Sequence, residues 1–184
     1  MFHHSKKRSG SELETLYSNY ENQMKFVEKS GKKSQSKLEF EETRSLRKRA
    51  FRAARRNAPK TLESFFGKGL DPDTTSDNGT TLLGLVLPKG DSNAEIVDLL
   101  LRQGASKCND MEGDPLWFVP EGNPKVQRLV VEASTNLNIR DFTKATPLIC
   151  AAKNKDKFFY DLLLQNGADP SARDDFGKTA ASYF

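Results

Sequence analysis

Short apolar stripes at helical spacing, separated by polar loops, recur from residue 46 to the end of the chain. Leu46, Ala50, Ala53 and Ala54 form one stripe, and Leu62, Phe65 and Phe66 the next. Later stripes are Ile96, Val97, Leu99, Leu100 and Leu101, then Val126, Leu129, Val130 and Val131, then Leu162, Leu163 and Leu164. The spacing predicts helices. Helices this short are marginal alone, because a costly nucleus is repaid by few hydrogen bonds. Their apolar sides therefore need neighbours of the same kind. Ahead of them, Leu13, Leu16, Tyr17, Tyr20, Met24 and Val27 predict an amphipathic helix over 11–30, opened by a Ser11/Glu14 capping box and closed at Ser30-Gly31. Residues 1–10 are basic, lack apolar anchors and read as a disordered tail. Residues 31–42, with the polar run Lys32 to Lys37, read as a linker, helix resuming near Leu38.

One unit shows its construction residue by residue. Asp141-Phe142-Thr143-Lys144-Ala145-Thr146-Pro147-Leu148-Ile149-Cys150-Ala151-Ala152 is followed by Leu162-Leu163-Leu164-Gln165-Asn166-Gly167-Ala168-Asp169. Thr146 is placed to bond backbone at a helix start, and Pro147 suits the first helical position because its missing N–H has no partner there anyway. Ala151 and Ala152 are small enough for close helix approach. The pattern resembles the ankyrin repeat, with its Thr-Pro-Leu-His-x-Ala signature at a period of about 33 residues. The resemblance implies an all-α fold, an ankyrin-repeat solenoid with an additional N-terminal amphipathic helix. Repeats fall at approximately 43–75, 76–109, 110–140 and 141–173, with a partial unit at 174–184.

The units are unequal. The first lacks the opening turn, Thr43-Arg44-Ser45-Leu46 standing in its place, as expected of an N-terminal cap. In the second, opening at Asp77, the segment Pro88 to Asn93 is about two residues longer than usual and predicts an extended loop. In the third, Pro120 follows Trp117-Phe118-Val119 where a helix should continue, predicting a short or distorted one. Ser134-Thr135 replace its closing Gly-Ala. In the fourth, Lys144 occupies a slot that wants positive φ. Asp174 to Phe184 open a fifth unit, which either seals the stack as a half-repeat or begins a longer array.

Partners of ankyrin proteins dock on the concave side, formed by the turn tips and the first helices. Carried over by position, that surface holds Asp77, Asn78 and Thr80, then Met111, Glu112 and Asp114, then Phe142, Thr143 and Ala145. Lys89 and Lys153, late in their first helices, line it too. Phe142 is a large aromatic at a tip. Trp117 stands where the family often has histidine, and fits either a core role or a partner anchor. The implied function is a non-catalytic protein–protein scaffold or adaptor with an unidentified protein partner. Short divergent arrays also resemble effectors that intracellular bacteria deliver into host cells.

Charge adds a second candidate. Residues 1–60 hold 16 Lys and Arg against 7 Asp and Glu, whereas residues 61–184 hold 13 against 18. Arg44, Arg47, Lys48, Arg49, Arg52, Arg55 and Arg56 crowd one helix whose Leu46, Ala50, Ala53 and Ala54 face inward, so the cations project outward. A solvated face, a nuclear-import signal or acidic protein partner, and a nucleic-acid or anionic-membrane contact all remain open. Only Phe51 is interleaved, which weighs against single-strand stacking.

Candidate chemistry changes little. His3 and His4 sit in the tail, no Cys/His spacing suits structural zinc, and Asp175-Phe176-Gly177 lacks the companion motifs of a kinase. Neither an enzyme, a cofactor nor a metal is expected. The longest apolar run falls short of the roughly 18 residues of a membrane span, no signal peptide is recognised, and free thiols are expected at Cys108 and Cys150. An intracellular, cytoplasmic or nuclear monomer is the expectation, or a host-cell location for a secreted effector.

Overall fold

The computed structural model describes residues 35–111 and 113–183, with side chains from residue 41 onward. The amphipathic stripe of 11–30, the tail of 1–10 and Glu112 lie outside the described residues. Two compact units divide at Arg44. Of the first, the described part is residues 35–44, the leading turns of helix α1 (Gln35–Arg55). This helix is described from Gln35 onward, inside the segment expected to be linker and before the Leu38 start; its run to Lys37 has no Gly or Pro to interrupt it.

The second unit, 45–184, stacks α2 (Pro59–Phe66), α3 (Leu82–Val86), α4 (Ala94–Arg102), α5 (Pro124–Ala133), α6 (Pro147–Asn154) and α7 (Lys157–Gln165). Among the described residues no strand forms, only isolated bridges pairing Thr75 with Thr81 and Thr80 with Asn109. This is the all-α fold expected. Asn57 turns left-handed (φ 49) after α1, and Pro59 starts α2 at the position where its lost donor costs nothing. Thr81 and Thr146 cap α3 and α6, each hydroxyl accepting a backbone N–H, at 3.0 Å from Gly84 and 3.4 Å from Ile149.

The apolar stripes meet in one core. Leu99 and Leu162 belong to the same buried cluster, which runs from Ala50 through Leu62, Leu83, Leu100, Val130 and Leu148 to Ala180. Burying each such side chain contributes about 1.5–3 kcal/mol. The helices α2, α4, α5 and α7 form a row along it, each packed on the next.

The third unit departs as anticipated. Its first helix is a single 3-10 turn, Pro115–Trp117, capped by Asp114, whose carboxylate accepts from the Leu116 amide at 2.9 Å. The second helices of the other units close on left-handed glycines, Gly69, Gly104 and Gly167 (φ 83, 88 and 92). After α5, Ser134 is extended instead (φ −79, ψ 135), and its hydroxyl donates to the Val130 carbonyl at 2.7 Å.

The longer connection expected in the second unit takes the form of a kinked 3-10 stretch, Leu87–Asn93, with Leu87, Gly90 and Asn93 buried. It braces the third unit. The Asp91 carboxylate accepts from the amides of Val126 (2.9 Å) and Lys125 (3.3 Å), capping α5, while the Asp91 amide donates to Asn123 Oδ1 at 2.9 Å. The approach is so close at Gly90 (φ 66) that a Cβ there would lie 1.9 Å from Asn123 Oδ1. On the other side, buried Gln127 donates from Nε2 to Asp156 at 2.5 Å.

Candidate binding surface at the turn tips

Four turns join the units, and each is tied off at its base by a short polar side chain. Asp141 Oδ1 accepts from the Thr143 amide (2.8 Å), the Thr143 hydroxyl (2.8 Å) and the Ala145 amide (2.9 Å). Asp174 Oδ1 accepts from the amides of Phe176 (3.0 Å) and Lys178 (3.1 Å), and Asn109 Oδ1 from those of Met111 and Gly113, both at 3.0 Å. In the first turn the Ser76 hydroxyl donates to the Thr80 carbonyl at 2.9 Å. This is the local bonding that makes Asp, Asn and Ser turn residues. It sets the register: Ser76, Asn109, Asp141 and Asp174 are equivalent, so the expected openings at Asp77 and Asp110 are one residue late.

With its base fixed, each turn projects two residues: Asp77-Asn78, Asp110-Met111, Phe142-Thr143 and Asp175-Phe176. Neighbouring turns are also joined through backbone, Asp110 N–H to the Gly79 carbonyl at 2.8 Å and Asp175 N–H to that of Thr143 at 2.9 Å. Three of the four tips carry a large apolar side chain in water: Met111 is 86 % exposed, Phe142 96 % and Phe176 76 %.

Residues 143–175 match the ankyrin-repeat family model. A protein of Treponema pallidum (strain Nichols) described as ankyrin repeat-containing is 28 % identical over 123 residues, 65 % of this chain. The match spans 41 % of that relative's length. The fourth unit is an ankyrin repeat. Such repeats in general mediate protein–protein contacts and are generally not enzymatic.

The stacked units place the expected surface residues unevenly. Asp77 and Asn78 are exposed; Asp77 is held by Arg47 at 2.7 Å, and Asn78 takes the Ser76 hydroxyl. Thr80, Asp114, Trp117 and Thr143 are half-buried, with Asp114 and Thr143 bonded into local structure. Lys89 is exposed on the 3-10 stretch. Ala145 is a correction: it is 1 % exposed, its methyl packed into the same buried cluster as Leu148 and Ile149, so it presents nothing to a partner. Phe176 was not among the expected contacts, although the 33-residue interval from Asp141 to Asp174 signals an equivalent tip.

Lys153 faces the last turn of the stack. Its Nζ lies 3.2 Å from the Asp174 carboxylate and 4.8 Å from the Tyr183 ring, and Lys178 lies 5.1 Å from the same ring. The Tyr183 hydroxyl donates to Asp174 at 2.5 Å. That bond, with amides and Lys153 behind it, holds the Asp174 carboxyl down to about 2. The same bond raises Tyr183. Burial would lower Lys153, but its hydrogen bond to Asp174 and the neighbouring negative charge leave it raised.

Both cysteines are free thiols. Burial, then the carboxylates of Asp114 and Asp73, push Cys108 up to about 12. Burial and Asp141 raise Cys150. Thiolate chemistry is disfavoured at both sites.

The basic helix is partly spent within the fold. Arg47 pairs with Asp77, and the Arg49 guanidinium sits 5.1 Å over the Phe65 ring. Lys48, Arg52, Arg55 and Arg56 are exposed on 45–56, as is Arg44 within the first unit. Phe51 is buried in the core and offers no stacking face.

Proposed function

We propose that the chain is a non-catalytic scaffold that captures a protein partner on its turn tips. The observation that supports this is the exposure of Met111, Phe142 and Phe176 on successive hydrogen-bonded turns. Large apolar groups left in water gain on being covered, and rigid aromatic anchors dominate binding energy in most interfaces. The turn bonds order these side chains' backbone before a partner arrives, so less entropy is lost on binding. Asp110 and Asn78 supply polar flanks. The direct test is quantitative affinity capture with the wild type and with M111A/F142A/F176A. Proteins enriched by the wild type are lost from the variant while its circular dichroism is unchanged. Equal capture by both forms overturns the tip assignment.

A second reading rests on α1. Lys48 and Arg52 lie at i, i+4 on it, which costs an isolated helix about 0.2–0.5 kcal/mol for a like-charged pair, and Arg56 follows in the turn just past its end. A polyanion contact, with nucleic acid as the probe, would use this row. It predicts binding that weakens steeply with salt and is lost in K48Q/R52Q/R56Q. A shallow salt slope, or an unaffected variant, rules it out.

A further inference from the structure

The row of second helices carries a feature that the turn tips do not use. An open groove of about 500 Å³ lies across the N-terminal parts of α4 and α5 and reaches Phe158 at the start of α7. Its floor is apolar, formed by Ala94 and Leu129. Its rims have opposite signs. On α4, Glu95 and Asp98 sit one turn apart; on α5, Lys125 and Arg128 have the same spacing. Asp98 is shared with Arg102 at 2.6 Å, and Arg128 lies 6.0 Å over the Phe158 ring. Glu95 and Lys125 are both exposed.

We propose that this groove is a self-association surface occupied by a second copy of the chain. The argument is charge complementarity. Two acids and two bases lie side by side on neighbouring helices. A two-fold axis running along the groove, parallel to the helices, sets α4 of each copy over α5 of the other. Each acidic rim then faces a basic rim twice over, and the apolar floors close on one another. An isologous contact needs such a self-complementary patch. An unrelated partner would have to display the same two-signed pattern over an apolar strip, and this chain already does. Like-signed rims face one another in any arrangement that sets α4 over α4, so the charges also fix the axis.

The test uses the full chain, with molar mass from light scattering and sedimentation over a wide concentration range at low salt. The wild type passes from monomer to dimer as concentration rises, and added salt reverses this. Glu95→Lys puts like charges opposite each other and weakens association about tenfold or more; Lys125→Glu does the same. The double swap E95K/K125E restores the pair with its signs exchanged and recovers the dimer. Both sites are exposed, and circular dichroism checks that each variant is folded. A wild type that stays monomeric throughout overturns the proposal. So does a single swap that dimerises like the wild type, which would place self-association elsewhere on the chain. A double swap that fails to recover, though folded, overturns it as well.

Discussion

The third and fourth units of the stack are built from the same plan and held by different means. In the fourth, Thr146 caps α6, Pro147 starts it, Gly167 closes α7, and Leu148, Ile149, Leu162 and Leu163 fill the core. The caps and the closing turn of both its helices lie within the unit itself. The third has one 3-10 turn for a first helix and no left-handed glycine after its second. Its α5 is capped by Asp91 from the unit before and tied through Gln127 to Asp156 of the unit after. A repeat can thus lose much of its own pattern when its neighbours satisfy its backbone.

This contrast can be broken from either side. Leu163→Ala in the fourth unit removes a fully buried side chain and should cost about 2–5 kcal/mol, read from denaturant midpoints. Leu116→Ala, within the isolated 3-10 turn, should fall at the low end of that range because the site can collapse. Gly90→Ala should cost more than the roughly 1–2 kcal/mol of a strained left-handed residue, since its Cβ also meets Asn123. Gly167→Ala, with open space around it, should cost only that conformational amount. Asp91→Ala should cost about 0.5–2 kcal/mol, as loss of a cap does, with the faster amide exchange concentrated in α5.

Smaller effects sharpen the picture. Lys144 holds φ 57, where glycine would be at ease, and its bridge to Asp175 (2.7 Å) is exposed. Lys144→Gly should therefore stabilise by about 0.5–1 kcal/mol in thermal melts. Asp174 links stability to pH. Its folded pKa, about 2, lies below the ordinary 3.8, so its contribution is full above the ordinary value and is lost as pH falls through about 2. The melting-temperature gap between wild type and Asp174→Asn should be constant near neutrality and close over that acid window.

How much of this could be read in advance follows from where the stabilising partners lie. The fourth unit was legible because Thr146, Pro147 and Gly167 act on backbone a few residues away. The short third helix was legible from Pro120, and the strain at Lys144 from its slot. The braces were not: Asp91 and Gln127 meet partners roughly one repeat distant, and nothing local marks them. The same limit applies to Asp73, which accepts from Ser106 and Lys107 in the next unit. Ala145 was misplaced because a position near a tip does not reveal which way the backbone turns its Cβ. Met111 and Phe142 were visible as tip residues, whereas Phe176 was hidden inside a chance three-letter motif.

Hydrogen exchange on the intact chain tests most directly whether the irregular unit shares the stability of its neighbours. If the core is continuous and Asp91 and Gln127 brace α5, amides of Val126 to Val131 should be protected on a par with those of α6 and α7. Exchange of α5 at the rate of an open loop, with α6 and α7 still protected, would show that the third unit opens on its own and that the tips beside it are not rigidly held.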